Sequence, residues 1–471
     1  MVMSRALVYL ASLALSSALV NQVHITLSSE AVDCEDGVAI TFASDVGRPL
    51  RVHYGIDTPD TVARTFPKSY YVNSANYSYT SLHLHTALLC KLEPDATYVY
   101  DILDYAPPSE NEVINMLTGI RYSGAFKSIP EANQQTILSI VGDIGMEQLN
   151  ATLNNLGSAF DGQDPDAVIV VGDWSYANGC QEDWDKWFIA AETLFAKVPL
   201  LGINGNHEVI ANQGANHSRP ECPAEMYTAY LNRIITPISE EAKKDNRVWY
   251  SKNIGNIHAV FVDDYAGFQA DPAVIGSTYW LNHRQAQFEW LEKDLSAVDR
   301  SKTPYVIVFK HNPYYNTFVD HQCQCSLTKF EIEDAASCWN GTYNMATTVK
   351  NGALSDAYQS PHCANQAKFE DLFMNKGVDA VIAGHVHAYE RTAPIYKNKI
   401  VENGVVHITV GTGGHSLYEQ KISPIPEWSE VTASIFGAAR VVADYAKLTI
   451  EFRSNQETTK LFDFVSLPRR F

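Results

Sequence analysis

Seven residues with metal-ligand side chains stand just beyond short apolar runs in the last two-thirds of this 471-residue chain. They are Asp143 in Gly142-Asp143-Ile144-Gly145, Asp173 and Tyr176 in Gly172-Asp173-Trp174-Ser175-Tyr176, and Asn206 in Gly205-Asn206-His207-Glu208. His311 follows in Val308-Phe309-Lys310-His311, and His385 and His387 in Gly384-His385-Val386-His387. Two carboxylates, a phenol, an amide and three imidazoles suit a pair of cations rather than one. Two cations ~3.5–4 Å apart can clamp the attacking and leaving oxygens of a phosphoryl displacement and acidify a bound water. Each motif alone is weak, because Gly-Asp after a strand usually marks a turn and Gly-His-x-His is more often structural. Their order and shared placement at strand ends point to one cleft.

The elements that must position them change in grain along the chain. From Val23 to about Ser128, apolar and polar residues alternate between turn signals, as in Val23–Leu27, Val38–Phe42, Leu50–Tyr54 and Thr97–Ile102. Seven or so short strands at this spacing predict an antiparallel β-sandwich of about a hundred residues. The stretch from Leu89 to Tyr98 resembles the E–F corner of fibronectin type III-like domains. After Pro130, buried-looking runs (Ile137–Val141, Ala167–Val171, Pro199–Ile203, His258–Val262, Tyr305–Phe309, Val378–Ala383, Val405–Val410) alternate with helical patterns. The helical patterns cover 146–158, 182–195, 284–296 and 364–375. That grain predicts an α/β domain, a β-sandwich flanked by helices, with the ligand candidates at strand C-termini.

Order and local wording resemble the calcineurin-like metallophosphoesterase superfamily, and Tyr176 narrows the resemblance to the purple acid phosphatases. Tyr54-Gly55, Asn312-Pro313 with Tyr315-Asn316, the run Gly384 to Arg391 and Gly411-Thr412-Gly413-Gly414-His415 carry it further. The resemblance runs from about Gln22 to the end. It implies an all-β fibronectin type III-like sandwich at 21–130 followed by an α/β metallophosphoesterase domain at 131–471. It also implies that Asp143, Tyr176 and His387 hold Fe(III), that Asn206, His311 and His385 hold divalent zinc, manganese or iron, and that Asp173 bridges the two. The implied activity is acid hydrolysis of phosphate monoesters, with metal-activated hydroxide as nucleophile. A phosphodiesterase or pyrophosphatase of the same superfamily is one alternative, and a catalytically silent extracellular binding protein is another. His207 resembles the family's histidine that binds phosphate and helps protonate the leaving alkoxide, its alternative being to position Asn206.

This chain departs from the plant-type pattern after His311. Two adjacent histidines are expected there, and the corresponding pair is Asp320-His321. His321 is expected to reach the substrate, whereas Asp320 would repel a dianion unless protonated or turned away. The stretch 321–363, with Cys323, Cys325, Cys338, Cys363 and the sequon at Asn340, reads as a disulfide-stapled insertion, either a lid or a surface excursion.

A formal net charge of −19 leaves no basic stripe for nucleic acid; small phosphate esters are the partners the resemblance implies, with a homodimer open by analogy. Arg5 followed by the apolar run Ala6–Val20 reads as a secretory signal over 1–20, and nothing near Leu461–Phe471 resembles a membrane anchor. Sequons at Asn76, Asn150, Asn216 and Asn340 agree with a secreted or vacuolar destination. Eight cysteines without zinc-site spacing read as disulfides, with Cys34 paired to Cys90.

Overall fold

The alternating N-terminal segments and the unbroken apolar runs after Pro130 both form strands, but one sheet passes through both regions. The computed structural model describes residues 18–27, 34, 37–104, 119–158, 162–209, 219–268, 276–319, 321–322, 325–326, 330–342 and 361–470. Residues 1–17 of the expected leader, Asn216, Asp320 and Cys323 lie outside these, as does the side chain of Cys363.

A ten-stranded sheet runs in the order Asp463–Pro468, Lys447–Ser454, Gly437–Ala443, Thr136–Val141, Ala167–Val171, Leu200–Ile203, Val20–Leu27, Val38–Ser44, His83–Leu89 and Phe66–Lys68. Its central strands are parallel: Ile169 pairs with Leu201, and Ile140 with Ile169. Thr26 pairs in parallel with Leu200, which joins the N-terminal strands to the central ones. The sequence pattern did not reveal this junction.

The second N-terminal sheet, in the order Ile120–Lys127, Thr97–Leu103, Arg51–Gly55 and Thr61–Arg64, is antiparallel throughout. Where the corner resemblance placed it, the Glu93 amide donates to the Tyr98 hydroxyl at 2.8 Å, the hydrogen bond that pins a tyrosine corner. Cys34 and Cys90 form the expected disulfide.

A seven-stranded sheet completes the second region, in the order Tyr250–Ile254, Ile257–Phe261, Tyr305–Lys310, Ala380–Ala383, Val406–Val410, Tyr389–Thr392 and Ser429–Ala433. Its inner strands are buried along their whole length, as parallel strands covered on both faces must be. Helices Leu149–Leu156, Gln181–Phe195, Thr278–Ala297 and Pro361–Lys376 match the expected helical segments, the third and fourth starting earlier than the apolar spacing indicated. Ser277 caps the third, accepting from the Trp280 amide, and so extends it beyond its apolar stripe.

Arg233 fastens the two regions together. Its guanidinium, buried to 1 % exposure, donates to Gln22 Oε1 (2.7 Å), Tyr70 OH (2.8 Å), Tyr79 OH (2.9 Å) and Asp185 Oδ1 (2.7 Å). The planar fork serves four acceptors from both regions at once, a task for which lysine has the wrong geometry.

One buried histidine sets an acid limit on stability. Burial first, then the charge of Lys310, hold the His407 imidazole down to about 3, from an ordinary 6.5. A depressed folded value means stability is fully present above pH 6.5 and drains away as pH falls toward 3. The expected loss between pH 6.5 and 4 is about 3 kcal/mol. His407→Phe should flatten that part of the curve, read as urea midpoints at pH 7 and pH 4. Parallel declines in both proteins would assign acid sensitivity elsewhere.

Candidate metal centre

All seven metal-ligand candidates leave the C-terminal ends of strands and enter one cleft between the ten- and seven-stranded sheets. Asp143 follows Thr136–Val141, Asp173 follows Ala167–Val171, and Asn206 follows Leu200–Ile203. His311 directly follows Tyr305–Lys310, and His385 and His387 follow Ala380–Ala383. Four of them bend sharply at the strand end: φ is +60° at Asp143, +52° at Asp173, +54° at Tyr176 and +64° at His385. Each such conformation costs on the order of 1–2 kcal/mol in an L-residue, so the surroundings must enforce it. The motif glycines give the backbone its close approach. A Cβ on Gly172 would sit 2.3 Å from His311 Nδ1, and one on Gly205 would sit 2.1 Å from Asp173 Oδ1.

The side chains gather into two clusters, with the Asp173 carboxylate against the second. Tyr176 OH lies 3.0 Å from Asp143 Oδ1 and 2.9 Å from His387 Nε2, which is 3.2 Å from the same Asp143 oxygen. Asn206 Oδ1 lies 2.9 Å from both His311 Nε2 and His385 Nδ1. Asp173 Oδ2 is 3.3 Å from His311 Nε2. Ligand atoms of Asp173, His311 and His385 all fall within 4.8 Å of one another, a group able to hold a metal ion.

The other ring nitrogens are already committed to the protein. His311 Nδ1 faces the Val171 carbonyl at 2.8 Å, and His387 Nδ1 faces Ser416 Oγ at 2.6 Å. The Val171 carbonyl can only accept, so it fixes the proton on His311 Nδ1 and leaves Nε2 as an electron-pair donor, while Ser416 fixes the ring direction of His387.

The electrostatics of the cleft favour cations. Burial, then the neighbouring Asp143 and Asp173 carboxylates, push the Tyr176 phenol well above its ordinary value. A phenol in that setting gives up its proton only against concentrated positive charge. Burial works to raise the Asp173 carboxyl, but His311, His207 and His385 outweigh it and hold the group well below the carboxylate range. Burial lowers the His207 imidazole, with Asp173 opposing.

His207 stands at the rim. Its amide donates to Asp173 Oδ1 at 2.9 Å, its Nδ1 pairs with Asn178 Oδ1, and its Nε2 lies 3.9 Å from Asp173 Oδ2. Its ring tilts against Tyr176, with centroids 4.3 Å apart. His321 also reaches the cleft, with its centroid 5.3 Å from that of His385. Tyr418 lies between His321 and His387 and stacks on both, at 4.9 and 4.7 Å with interplanar angles of 12° and 7°. His415 stacks on the other face of the cleft against Tyr176, at 3.8 Å.

Several supporting residues carried no role in the sequence reading. Glu208 accepts from the amides of Asp173 (2.9 Å), Gly205 (2.8 Å) and Trp174 (3.0 Å), tying two ligand-bearing turns to one carboxylate. Burial and then Asp173 raise its carboxyl, while the amide donors pull the other way. Its place in Gly205-Asn206-His207-Glu208 was the available signal. Tyr418 and Asn178 lie in loops whose approach to the cleft no periodicity records. Asp379, Glu390 and Arg391 serve the framework: Asp379 pairs with Arg300 and Arg470, Glu390 holds Thr317 and Ser429, and Arg391 holds Asp463.

Residues 138–389 match the family model described as calcineurin-like phosphoesterase, and residues 404–463 match the iron/zinc purple acid phosphatase-like protein C. This chain is a member of the purple acid phosphatase family. Among its relatives, purple acid phosphatase 23 of Arabidopsis thaliana is 28 % identical over 373 residues, covering 73 % of this chain and 65 % of the relative. Purple acid phosphatase 22 of the same plant is 27 % identical over 453 residues, covering 93 % and 83 %. The chain thus spans slightly less than two thirds of the former's length. The fold superposes on the purple acid phosphatase PPD1 from yellow lupin seeds with a TM-score of 0.69 at 21 % identity, over 96 % of this chain and 75 % of that one.

Among the described residues, no helix is long and apolar enough to cross a membrane. The sequon residues Asn76, Asn150 and Asn340 are exposed. Cys325 and Cys338 are bonded within the insertion, and Cys180 with Cys222, a pair the sequence left unassigned.

Proposed function

We propose that this protein is an acid phosphatase that hydrolyses small phosphate monoesters at a dinuclear Fe(III)–M(II) centre, M being zinc, manganese or iron. The observation that supports the reading is the pair of donor clusters, with Asp173 against the second and assigned the place between them. Asp143, Tyr176 and His387 supply two anionic oxygens and one imidazole, a set for the ferric ion. Asn206, His311 and His385 supply a neutral amide oxygen and two imidazoles, a set for the divalent ion, with Asp173 shared. When bound, the two ions would polarise the phosphoryl group and acidify water enough to furnish hydroxide in acid.

The remaining steps fall to the protein. His207, with Nδ1 fixed by Asn178, presents Nε2 to the cleft, where it can hold a phosphate oxygen and pass a proton to the departing alkoxide. His321, braced by Tyr418, faces the same space from the opposite rim and is assigned the second phosphate contact. His321, where the stretch 321–363 begins, lies beside His385, which supports a role for that stretch in substrate range. The leader at 1–20, the sequons at Asn76, Asn150, Asn216 and Asn340 and the disulfides support a secreted or vacuolar location. The working division of the chain is a sandwich at 21–130 and a catalytic domain at 131–471.

Purified protein should cleave an aryl phosphate monoester at acid pH far faster than the matching diester. Comparable diester cleavage would move the assignment to a phosphodiesterase. His207→Ala should lower kcat by on the order of 10²-fold with both metals retained. Loss of metal in step with activity would make His207 a positioning residue for Asn206.

A further inference from the structure

The divalent side of the centre rests on an ion pair that none of the sequence motifs anticipated. Lys310 Nζ lies 2.9 Å from Asp264 Oδ1, and both side chains are 0 % exposed. The other oxygen of Asp264 accepts the amides of His311 (3.1 Å) and Asn312 (2.8 Å). Lys310 Nζ also donates to the Asn312 carbonyl and sits 4.0 Å above the Tyr314 ring. Asn312 Oδ1 in turn accepts from Tyr265 OH at 2.6 Å.

A buried pair of this kind is a poor stabiliser, because desolvating two charges offsets their attraction, and an apolar pair of similar volume often serves as well. Its geometry indicates a different use. The carboxylate grips the backbone at the residue where the strand Tyr305–Lys310 ends and His311 begins. The ammonium anchors that carboxylate and the next carbonyl but one. Together with the Val171 carbonyl on His311 Nδ1, they leave His311 Nε2 one direction, toward Asn206 and Asp173.

We propose that the Lys310–Asp264 pair is a positioning device for His311, and through it for the divalent ion, leaving the Asp143–Tyr176–His387 cluster independent of it. This rests on the two-ion reading above. Among the described residues, the side-chain hydrogen bonds of Asp143, Tyr176 and His387 run to one another, to the His385 amide and to Ser416, so the two ions should respond differently to the pair's removal.

The test uses the full-length protein with Lys310→Met, Asp264→Asn and the double variant, whose two neutral side chains leave no unpaired buried charge. Iron and divalent metal are measured per chain, and zinc is titrated back into protein stripped of its divalent ion. The double variant should fold, keep its iron and its visible absorption, and bind zinc ~10–100-fold more weakly. Lys310→Arg should restore part of that affinity. Unchanged zinc affinity in a folded double variant would overturn the proposal. So would parallel loss of both metals, or a double variant unable to fold, since either makes the pair a general stabiliser. Wild-type protein that takes up neither metal would instead sink the two-ion reading on which the pair's role depends.

Discussion

Asp173→Asn is expected to lower kcat/KM for an aryl phosphate by at least ~10³-fold, about 4 kcal/mol of barrier. The carboxylate is assigned the bridging position, with Oδ2 3.3 Å from His311 Nε2 and Oδ1 receiving the His207 amide at 2.9 Å. Asparagine preserves the shape, and the backbone at this position is held independently by Glu208. What disappears is one negative charge at the place where two cations would lie closest, so their mutual repulsion goes uncompensated. Metal content should fall with activity, while the unfolding midpoint of the metal-free protein stays near that of the metal-free wild type. An asparagine variant with full metal and near-full turnover would remove Asp173 from the bridging position.

The residues that carry this expectation were legible because their signal is local. A buried strand is an apolar run, and a glycine followed by a donor side chain marks where it stops, as at Gly142-Asp143 and Gly205-Asn206. Tyr98 was legible for the same reason, since its hydroxyl returns to a backbone amide only five residues upstream. Features that depend on distant parts of the chain were hidden. Thr26 beside Leu200 is a single point of pairing across most of two hundred residues, and nothing in the alternation of Val20–Leu27 marks which edge it meets. Arg233 gathers acceptors from positions as far apart as Gln22 and Asp185. Lys310 reads in sequence as one polar residue ending an apolar strand, and its partner Asp264 lies in the turn after another strand, Ile257–Phe261. Tyr418 is similar: its neighbours His321 and His387 come from two different segments, and only folding brings the three rings together. Short-range rules therefore picked out the donor side chains that the fold brings together, whereas the supports that aim them come from tertiary contacts.

Tyr176→Phe should abolish the visible absorption of the iron-loaded protein altogether, because that band requires a phenolate oxygen bound to Fe(III). The substitution removes one atom with little disturbance of packing. The ring would still stack on His415 at 3.8 Å and tilt against His207 at 4.3 Å. Its hydroxyl now stands 3.0 Å from Asp143 Oδ1 and 2.9 Å from His387 Nε2, so phenylalanine leaves both of those donors in place. Burial and the two nearby carboxylates oppose ionisation of the phenol, so a visible band would itself report that a highly charged cation has overcome them. Losing one anionic donor should also make the ferric ion easier to reduce and to extract, with affinity weakened about 10–100-fold or more. A divalent ion on the proposed Asn206, His311 and His385 set should be affected less. The measurement pairs a visible spectrum with iron analysis of the same sample. A band that persists in the phenylalanine variant, or iron-replete wild-type protein with no band, would take Tyr176 off the metal and remove the basis for a ferric assignment.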